Sequence, residues 1–459
     1  MPQALEFDAA IIGTGQAAPS LAVALARRGE KVALIEGSLV GGSCVNAGCT
    51  PTKTLRKSAR VAHLARHAAE FGVNVGKVEV DFAAAMRRMQ ERVDGARGDL
   101  ERWITGDAGI TLLRAWGSFT GGRQGAFDLM AGEQPLRAKR VYLNTGTRAN
   151  IPPIPGIETV AVLDNVSLLQ LRSRPAHLIA IGGSYIGLEM GQIFRRLGSE
   201  VTVIETGPRI TSREDADVSA AIMAMLQEEG LKVLTGQPVD RVEAAGPGVA
   251  VHVGGVRVEG SHLLVATGRL PNTERLNLDA VGVDTDERGF VPTDGRLETN
   301  VPGIWALGDI NKRGAFTHTS YQDYQIVLAN HEGGSRTADG RVQTYAMFTD
   351  PPLGRVGMSQ DDARKSGRPM LMVNWPMKHV SRAREESETT GLIKLLVDAQ
   401  DERIVGATVL GLNGDEIIQV VSNFMATGAS YRVLRDALPI HPTVSEFLPF
   451  VLGKLQPLE

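Results

Sequence analysis

The 459-residue chain has two cysteines, Cys44 and Cys49, within Gly41-Gly42-Ser43-Cys44-Val45-Asn46-Ala47-Gly48-Cys49-Thr50-Pro51-Thr52-Lys53. Two thiols separated by a few residues of a glycine-rich turn can close a disulfide. Pro51 is tolerated in a first helical turn, so the segment predicts a helix opening at Cys49, where the positive helix end favours a thiolate. Cys44 is expected in the preceding loop. Lys53 follows Cys49 by one turn on the same face. A structural zinc site needs about four ligands, and there is no second cysteine pair to supply them. Redox chemistry is therefore favoured over a metal site or an inert thiol pair. Near the C-terminus, His441-Pro442-Thr443-Val444-Ser445-Glu446 sets an imidazole and a carboxylate five positions apart. A histidine titrating near neutrality can take a thiol proton and return it, and a carboxylate fixes its tautomer.

These groups must be held by the rest of the chain, which contains a repeat. Ile11-Ile12-Gly13-Thr14-Gly15-Gln16-Ala17-Ala18 leads through an Ala/Leu-rich helix, Arg27-Arg28 and Gly29 to Val32-Ala33-Leu34-Ile35-Glu36. Ile179-Ala180-Ile181-Gly182-Gly183-Ser184-Tyr185-Ile186-Gly187 leads through Arg195-Arg196 and Gly198 to Val201-Thr202-Val203-Ile204-Glu205. In both copies the acidic residue follows the first glycine by 23 positions. Each copy reads as strand, glycine turn, helix and strand, half of a doubly wound α/β domain. Gly13 allows the tight turn, Gly15 lets backbone approach a pyrophosphate, and Ala18 lets helix and strand pack closely. The helix start offers unpaired N–H groups to the anion, while Glu36 and Glu205 are placed to accept from a ribose. Arginines in the last helical turns suit the dipole. Two dinucleotides in one chain imply electron transfer between two cofactors. Asn144-Thr145-Gly146-Thr147-Arg148 and Ala266-Thr267-Gly268-Arg269-Leu270-Pro271-Asn272 echo one another downstream of the two copies. Phe82, Met86, Met89 and Val93 recur at helical spacing and read as core. Met370 to Met377 reads as a core strand.

Composition narrows the function classes. Lys and Arg number 49 against 52 Asp and Glu, a net charge of −3, so nothing electrostatic points to nucleic acid or an anionic membrane. The longest charge-free run, residues 9–26, falls short of the about 20 apolar residues a spanning helix needs and is interrupted by Gly13, Gly15 and Pro19, and strand-like residues begin at Phe7 with no leader pattern before them. The sequence reads as cytoplasmic. Its 52 glycines, roughly 11% against a usual ~7%, indicate many tight turns.

In its glycine fingerprints, its Cys44–Cys49 segment, Ala266-Thr267-Gly268-Arg269, Gly308-Asp309 and His441-Pro442-Thr443, the chain resembles the class I pyridine nucleotide-disulfide oxidoreductases, specifically their mercuric-reductase-like and dihydrolipoamide-dehydrogenase-like branch. The resemblance implies an α/β fold with two doubly wound dinucleotide-binding domains, for FAD and NAD, and a C-terminal α+β dimerisation domain. The expected boundaries are 1–150 and 271–340 for the two parts of the FAD domain, 151–270 for the NAD(P) domain and 341–459 for the interface domain. It implies Cys49 as the flavin-proximal, charge-transfer thiol and Cys44 as the interchange thiol. Lys53 is implied near flavin N5, paired with Glu189, and Tyr185 as an aromatic gate over the flavin that the nicotinamide displaces. FAD positions are implied at Gly13, Gly15, Ala18, Glu36, Gly42, Ser43, Lys53, Gly117, Thr145, Gly146, Asp309 and His318. The NAD positions are Gly182, Gly187, Glu205 and Gly268. His441 and Glu446 are implied to act across a homodimer on the partner's cysteine pair.

The expected activity is FAD-dependent NAD(P)H:disulfide oxidoreduction, with hydride passing to FAD, electrons to the Cys44–Cys49 disulfide and then to an external acceptor. Glu205 at the ribose repels a 2′-phosphate, so NADH is favoured over NADPH, although Arg209 nearby could soften the preference. The alternatives are a metal-ion reductase of the mercuric or copper type and a flavoprotein redox sensor that does not turn over. The C-terminus lacks the second cysteine pair of mercuric reductases, which argues against efficient Hg(II) reduction. His318 and the basic segment Lys378 to Arg384 look unlike the lipoamide enzymes.

Overall fold

The computed structural model describes residues 3–459. Leu5–Ile12 forms the centre of a seven-stranded sheet, pairing in parallel with Val32–Ile35 and Gln134–Leu143. Ile110–Leu113 extends it on one side. On the other, Gln134–Leu143 pairs in parallel with Ile304–Ala306 and antiparallel with Ala126–Ala131, which leads to Gly117–Arg123. Val32–Ile35 is buried at every position, as a parallel strand covered on both faces must be. Ala18–Ala26 covers one face with small and branched apolar side chains, seven of its nine residues buried.

The second glycine repeat builds a separate five-stranded parallel sheet. His177–Ile181 lies between Glu200–Glu205 and His262–Val265, with Lys232–Thr235 and Val162–Leu163 at the edges. Thr147–Ala149 pairs antiparallel with Arg269–Pro271 where the chain leaves and re-enters the first unit. From Thr344 onward a six-stranded antiparallel sheet forms, carrying the helices Gly414–Ala426 and Phe447–Leu452. Met370–Pro376 is one of its strands.

Two helices carry the cysteine region. Cys49–Arg66 packs along Phe82–Thr105, whose inward stripe is Phe82, Met86, Met89 and Val93. The Asp81 side chain caps the second helix by accepting from the Ala84 N–H at 2.9 Å. The arginine expectation holds for the second copy, where Arg195 and Arg196 end the helix Tyr185–Arg196, and needs correcting for the first, where Arg27 and Arg28 come after the helix Ala18–Ala26 has ended. Arg196 is also buried and pairs with Glu229 and Asp350. Arg60, from the cysteine helix, reaches the same Asp350 and also Glu388. Asp350 therefore ties all three units together, and removing one partner of such a buried pair typically costs about 3–5 kcal/mol.

Candidate active site

The first glycine turn fits a pyrophosphate. Gly13 holds φ +94°, and a Cβ there would meet the Asn144 carbonyl oxygen at 2.4 Å, so only glycine brings the turn this close to the crossover strand. Among the described residues, the N–H groups of Gly15, Gln16 and Ala17 have no protein acceptor, whereas Ala18 N–H donates to Gly15 O and Asn144 Oδ1. Glu36 ends the second strand and accepts from Thr14 N–H at 2.9 Å and Ser38 N–H at 2.8 Å. The second turn repeats the arrangement: Glu205 accepts from Gly183 N–H and Gly207 N–H, each at 2.7 Å. A Cβ on Gly187 would lie 2.0 Å from Gly182 O. Arg209 turns its guanidinium to the carbonyls of Ser212 and Glu214.

Asp309 lies in the short turn Gly308–Asn311 and accepts from the Thr147 hydroxyl at 3.0 Å. Burial pushes its carboxyl up, against the pull of Arg269. A half-buried carboxylate with so few donors suits a hydroxyl-bearing ligand, as a ribityl chain is. Thr145 donates to Asn272 O, and Gly146 O accepts from Asn272 N–H, closing the turn between the units. Gly117 opens its strand buried against Ile12 and Ile35, and Gly268 sits at φ +128° where the chain returns.

The cysteine segment docks directly on the first turn. Gly41 N–H donates to Thr14 Oγ1 at 3.0 Å, and Gly42 stands against Gly15. Cys49 opens its helix as expected. Cys44 departs from expectation: it sits inside a short helix, Gly42–Ala47, with Ser43 exposed beside it, because Asn46 Nδ2 donates back to Val40 O and Gly42 O and winds the segment. Both thiols are free and half-buried. Cys49 Sγ lies 3.2 Å from Thr317 Oγ1, at the start of the helix Thr317–His331. The neighbouring Cys44 thiol, then Thr317 and Lys53, pull the Cys49 thiol down to about 6 despite its burial. Cys44 goes the other way, pushed well up by its hydrogen bond to Cys49 and by burial. The arrangement thus favours the anion at Cys49 and the protonated thiol at Cys44.

Lys53 Nζ is 2.9 Å from Glu189 Oε2 and 4.1 Å above the Phe348 ring. Glu189 is buried, and its other oxygen accepts from Phe348 N–H at 2.8 Å. The cation beside the cysteine helix is thereby fixed by the second unit and by the C-terminal unit together. Tyr185 opens the second glycine helix and donates to Glu214 at 2.9 Å. His318 meets neither thiol: its Nε2 is 2.6 Å from Thr344 O and its ring stacks on Phe316. The neighbouring Thr317 makes the thiol contact instead, because helix periodicity turns adjacent side chains to different faces. His441 Nδ1 lies 2.9 Å from Glu446 Oε2 with its side chain 74% exposed, and hydrogen-bonds to neither cysteine of its own chain.

Residues 7–323 match the pyridine nucleotide-disulphide oxidoreductase family, and residues 344–449 match its dimerisation domain. The chain belongs to this family. It is 35% identical over 448 residues to the probable pyridine nucleotide-disulfide oxidoreductase RclA of Escherichia coli, covering 96% of this chain and 98% of that protein. It is 34% identical to a mercuric reductase of Bacillus cereus, covering 96% of this chain and 70% of that one. A solved structure described as a Cu(II) complex of the HOCl-induced flavoprotein disulfide reductase RclA from Escherichia coli superposes with a TM-score of 0.89 at 35% identity, covering 97% of this chain and 99% of that one. LpdA from Mycobacterium tuberculosis, at 22% identity and a TM-score of 0.88, shares the fold. The protein is an FAD-dependent, NAD(P)H-linked disulfide oxidoreductase with a dimerisation domain. Among the described residues, no helix is long and apolar enough to cross a membrane.

The sequence reading missed Thr317, Phe348, Glu214 and Tyr345 as parts of this oxidoreductase site. Thr317 carries no local signal, because only the meeting of two distant helix starts places it at Cys49. Phe348 lies just after the sheet strand Thr344–Met347 and reads as ordinary core.

Proposed function

We propose that this oxidoreductase takes electrons from NADH and delivers them through Cys44 and Cys49 to a small oxidised acceptor, in a site completed by His441 of a second subunit. The observation that carries this reading is the cysteine pair itself, with Cys49 at a helix start against Thr317 and Lys53 one turn on. When bound, FAD supplies the ring that takes a hydride from the nicotinamide and returns the electron pair to the cysteine disulfide. The unpaired N–H groups of residues 15–17, Glu36 and Asp309 hold it, while Lys53, fixed by Glu189, keeps positive charge beside the thiolate helix. With the pair reduced, Cys44 must lose its proton to attack. An imidazole oriented by Glu446 is the group suited to take it, and its exposure leaves it open to reach across to another chain. Cys44 sulfur then displaces one thiol of a disulfide acceptor, forming a mixed disulfide. Cys49 thiolate attacks Cys44 sulfur, releasing the second thiol and restoring the Cys44–Cys49 disulfide. Two protons and two electrons are consumed for each acceptor disulfide.

A second reading, reduction of a thiophilic metal ion as substrate, is favoured by the likeness to mercuric reductases and to a protein solved with Cu(II). A panel of glutathione disulfide, lipoamide, Cu(II), Hg(II) and quinones, followed by steady-state NADH oxidation and stopped-flow flavin spectra, separates the readings. We expect a yellow protein with one FAD per chain and sustained turnover with a disulfide. Colourless protein that cannot be reconstituted with FAD overturns the proposal. Turnover with Cu(II) or Hg(II) alone favours the second reading. Flavin reduction with no turnover on any acceptor leaves a redox sensor.

Glu205 sets the cofactor preference. One of its oxygens accepts from Gly183 N–H of the second glycine turn and the other from Gly207 N–H, while Arg209 is occupied by backbone carbonyls. NADH is expected to exceed NADPH in kcat/KM by about tenfold, or ~1.4 kcal/mol. A preference for NADPH in paired initial-rate measurements would show that Arg209 swings to the 2′-phosphate.

A further inference from the structure

Glu214 is a fully buried carboxylate that the mechanism above does not use. Its side chain is 0% exposed, and that of its partner Arg355 is 3% exposed. Oε2 accepts from Arg355 at 2.9 Å, leaving Oε1 to two phenols: Tyr185 at 2.9 Å and Tyr345 at 2.7 Å. The three donors come from different places. Tyr185 starts the second glycine helix, whereas Tyr345 and Arg355 belong to Thr344–Met347 and Leu353–Gly357 of the C-terminal sheet. Burial, reinforced by the Glu214 charge, pushes both phenols up, so both hydroxyls donate. Tyr345 is itself fixed, stacked on Phe316 with ring centres 5.3 Å apart and planes 9° apart. Phe316 immediately precedes Thr317, the residue at Cys49.

We propose that Glu214 and Tyr345 form a latch on Tyr185 that sets how readily the nicotinamide ring gains its site. The proposal rests on the reading of Tyr185 as a gate that the nicotinamide displaces. Opening the gate removes one donor from Glu214 Oε1. An unpaired buried carboxylate oxygen is costly, but Tyr345 stays on Oε1 and Arg355 on Oε2, so the opened state remains satisfied. The two phenols therefore have opposite effects. The Tyr185 hydroxyl holds the gate shut, and the Tyr345 hydroxyl makes opening affordable. Ligand affinity falls with the population of the competent open state, so the two signs are readable in binding.

The test is an equilibrium titration of oxidised, FAD-loaded protein with NAD+ and with ADP-ribose, which shares the adenosine half but has no nicotinamide ring. The quantity read is the ratio of the two Kd values, with FAD content and Tm measured on every variant. Tyr185→Phe is expected to tighten NAD+ roughly three- to tenfold while leaving ADP-ribose unchanged. Tyr345→Phe is expected to weaken NAD+ by a similar factor, since opening would then strand Oε1. The double variant should resemble Tyr185→Phe, because Tyr345 matters only while the Tyr185 hydroxyl is present. Phe variants that move together, or that simply add, overturn the latch. Tyr185→Phe alone also decides: weaker or unchanged NAD+ binding sinks it even if Tyr345→Phe fails to fold. Tyr185→Leu checks the underlying gate. Relative to ADP-ribose, it should tighten NAD+ at least as much as Tyr185→Phe does. No change in that ratio removes the gate reading and the latch with it, whereas a tightening accompanied by same-sign Phe variants removes the latch alone.

Discussion

Cys49→Ser is expected to erase the long-wavelength absorbance of the two-electron-reduced holoprotein and drop disulfide turnover to background. Cys44→Ser is expected to lose turnover equally, yet to show that band with no reductant added. The band requires a thiolate beside oxidised flavin, and Cys49 is the thiol whose surroundings favour the anion. It opens a helix of 18 residues, its neighbour donates a thiol proton to it, and Thr317 and Lys53 add further support. A serine hydroxyl at residue 44 retains a donor, so the thiolate survives there. The pH sign follows from a thiol held at about 6: the band is present above that value and fades as pH falls through it. Thr317→Ala should move the midpoint upward by removing one of the donors. Alkylation of the reduced holoprotein should reach Cys44 before Cys49, because bound FAD would shield the more acidic Cys49 thiol from the reagent. A band that survives Cys49→Ser and vanishes in Cys44→Ser would exchange the two roles.

The elements that carry the site were legible because their signals are local. Two glycine turns with matched acidic residues fix two strand–helix–strand units through sterics that act within about thirty residues. Pro51 and the glycines before it mark the helix at Cys49. Cys44 was misplaced because a six-residue helix of Gly-Ser-Cys-Val-Asn-Ala has poor intrinsic propensity. It forms because Asn46 bonds back to the chain and because Gly41 is anchored on Thr14, a contact across 27 positions that no local pattern contains.

The same limit explains the residues that were missed. Arg196 reads as a charge that complements the helix dipole, and its buried pairing exists only once Asp350 arrives from the third unit, 154 positions on. Glu214 and Tyr345 look like a loop acid and a strand aromatic, and become a shared hydrogen-bond centre only when the C-terminal sheet docks. His318 hydrogen-bonds to Thr344 O, and it is Thr317 beside it that meets Cys49, a distinction that proximity to the helix start does not make.

His441→Ala is expected to slow acceptor turnover by on the order of 10²–10⁴ while leaving flavin reduction by NADH nearly unchanged. The separation is required by where the histidine stands. Its partner Glu446 is mostly buried while the imidazole is 74% exposed, and the adjoining Ile440 and Leu438 are 80% and 97% exposed. An apolar strip so open beside an oriented imidazole suits cover by a second chain. In the proposed dimer the imidazole would act on the other chain's Cys44, whose thiol is pushed up by its hydrogen bond to Cys49 and by burial. Mixed dimers distinguish this from action within one chain. Cys44→Ser protein combined with His441→Ala protein is inactive in every site if the groups act in cis. If they act in trans, each hybrid contains one intact pair, a Cys44 from one chain and a His441 from the other. Equimolar exchange should then restore about a quarter of wild-type turnover, since half the dimers are hybrids and half their sites are whole. No recovery after verified subunit exchange would place the proton carrier elsewhere.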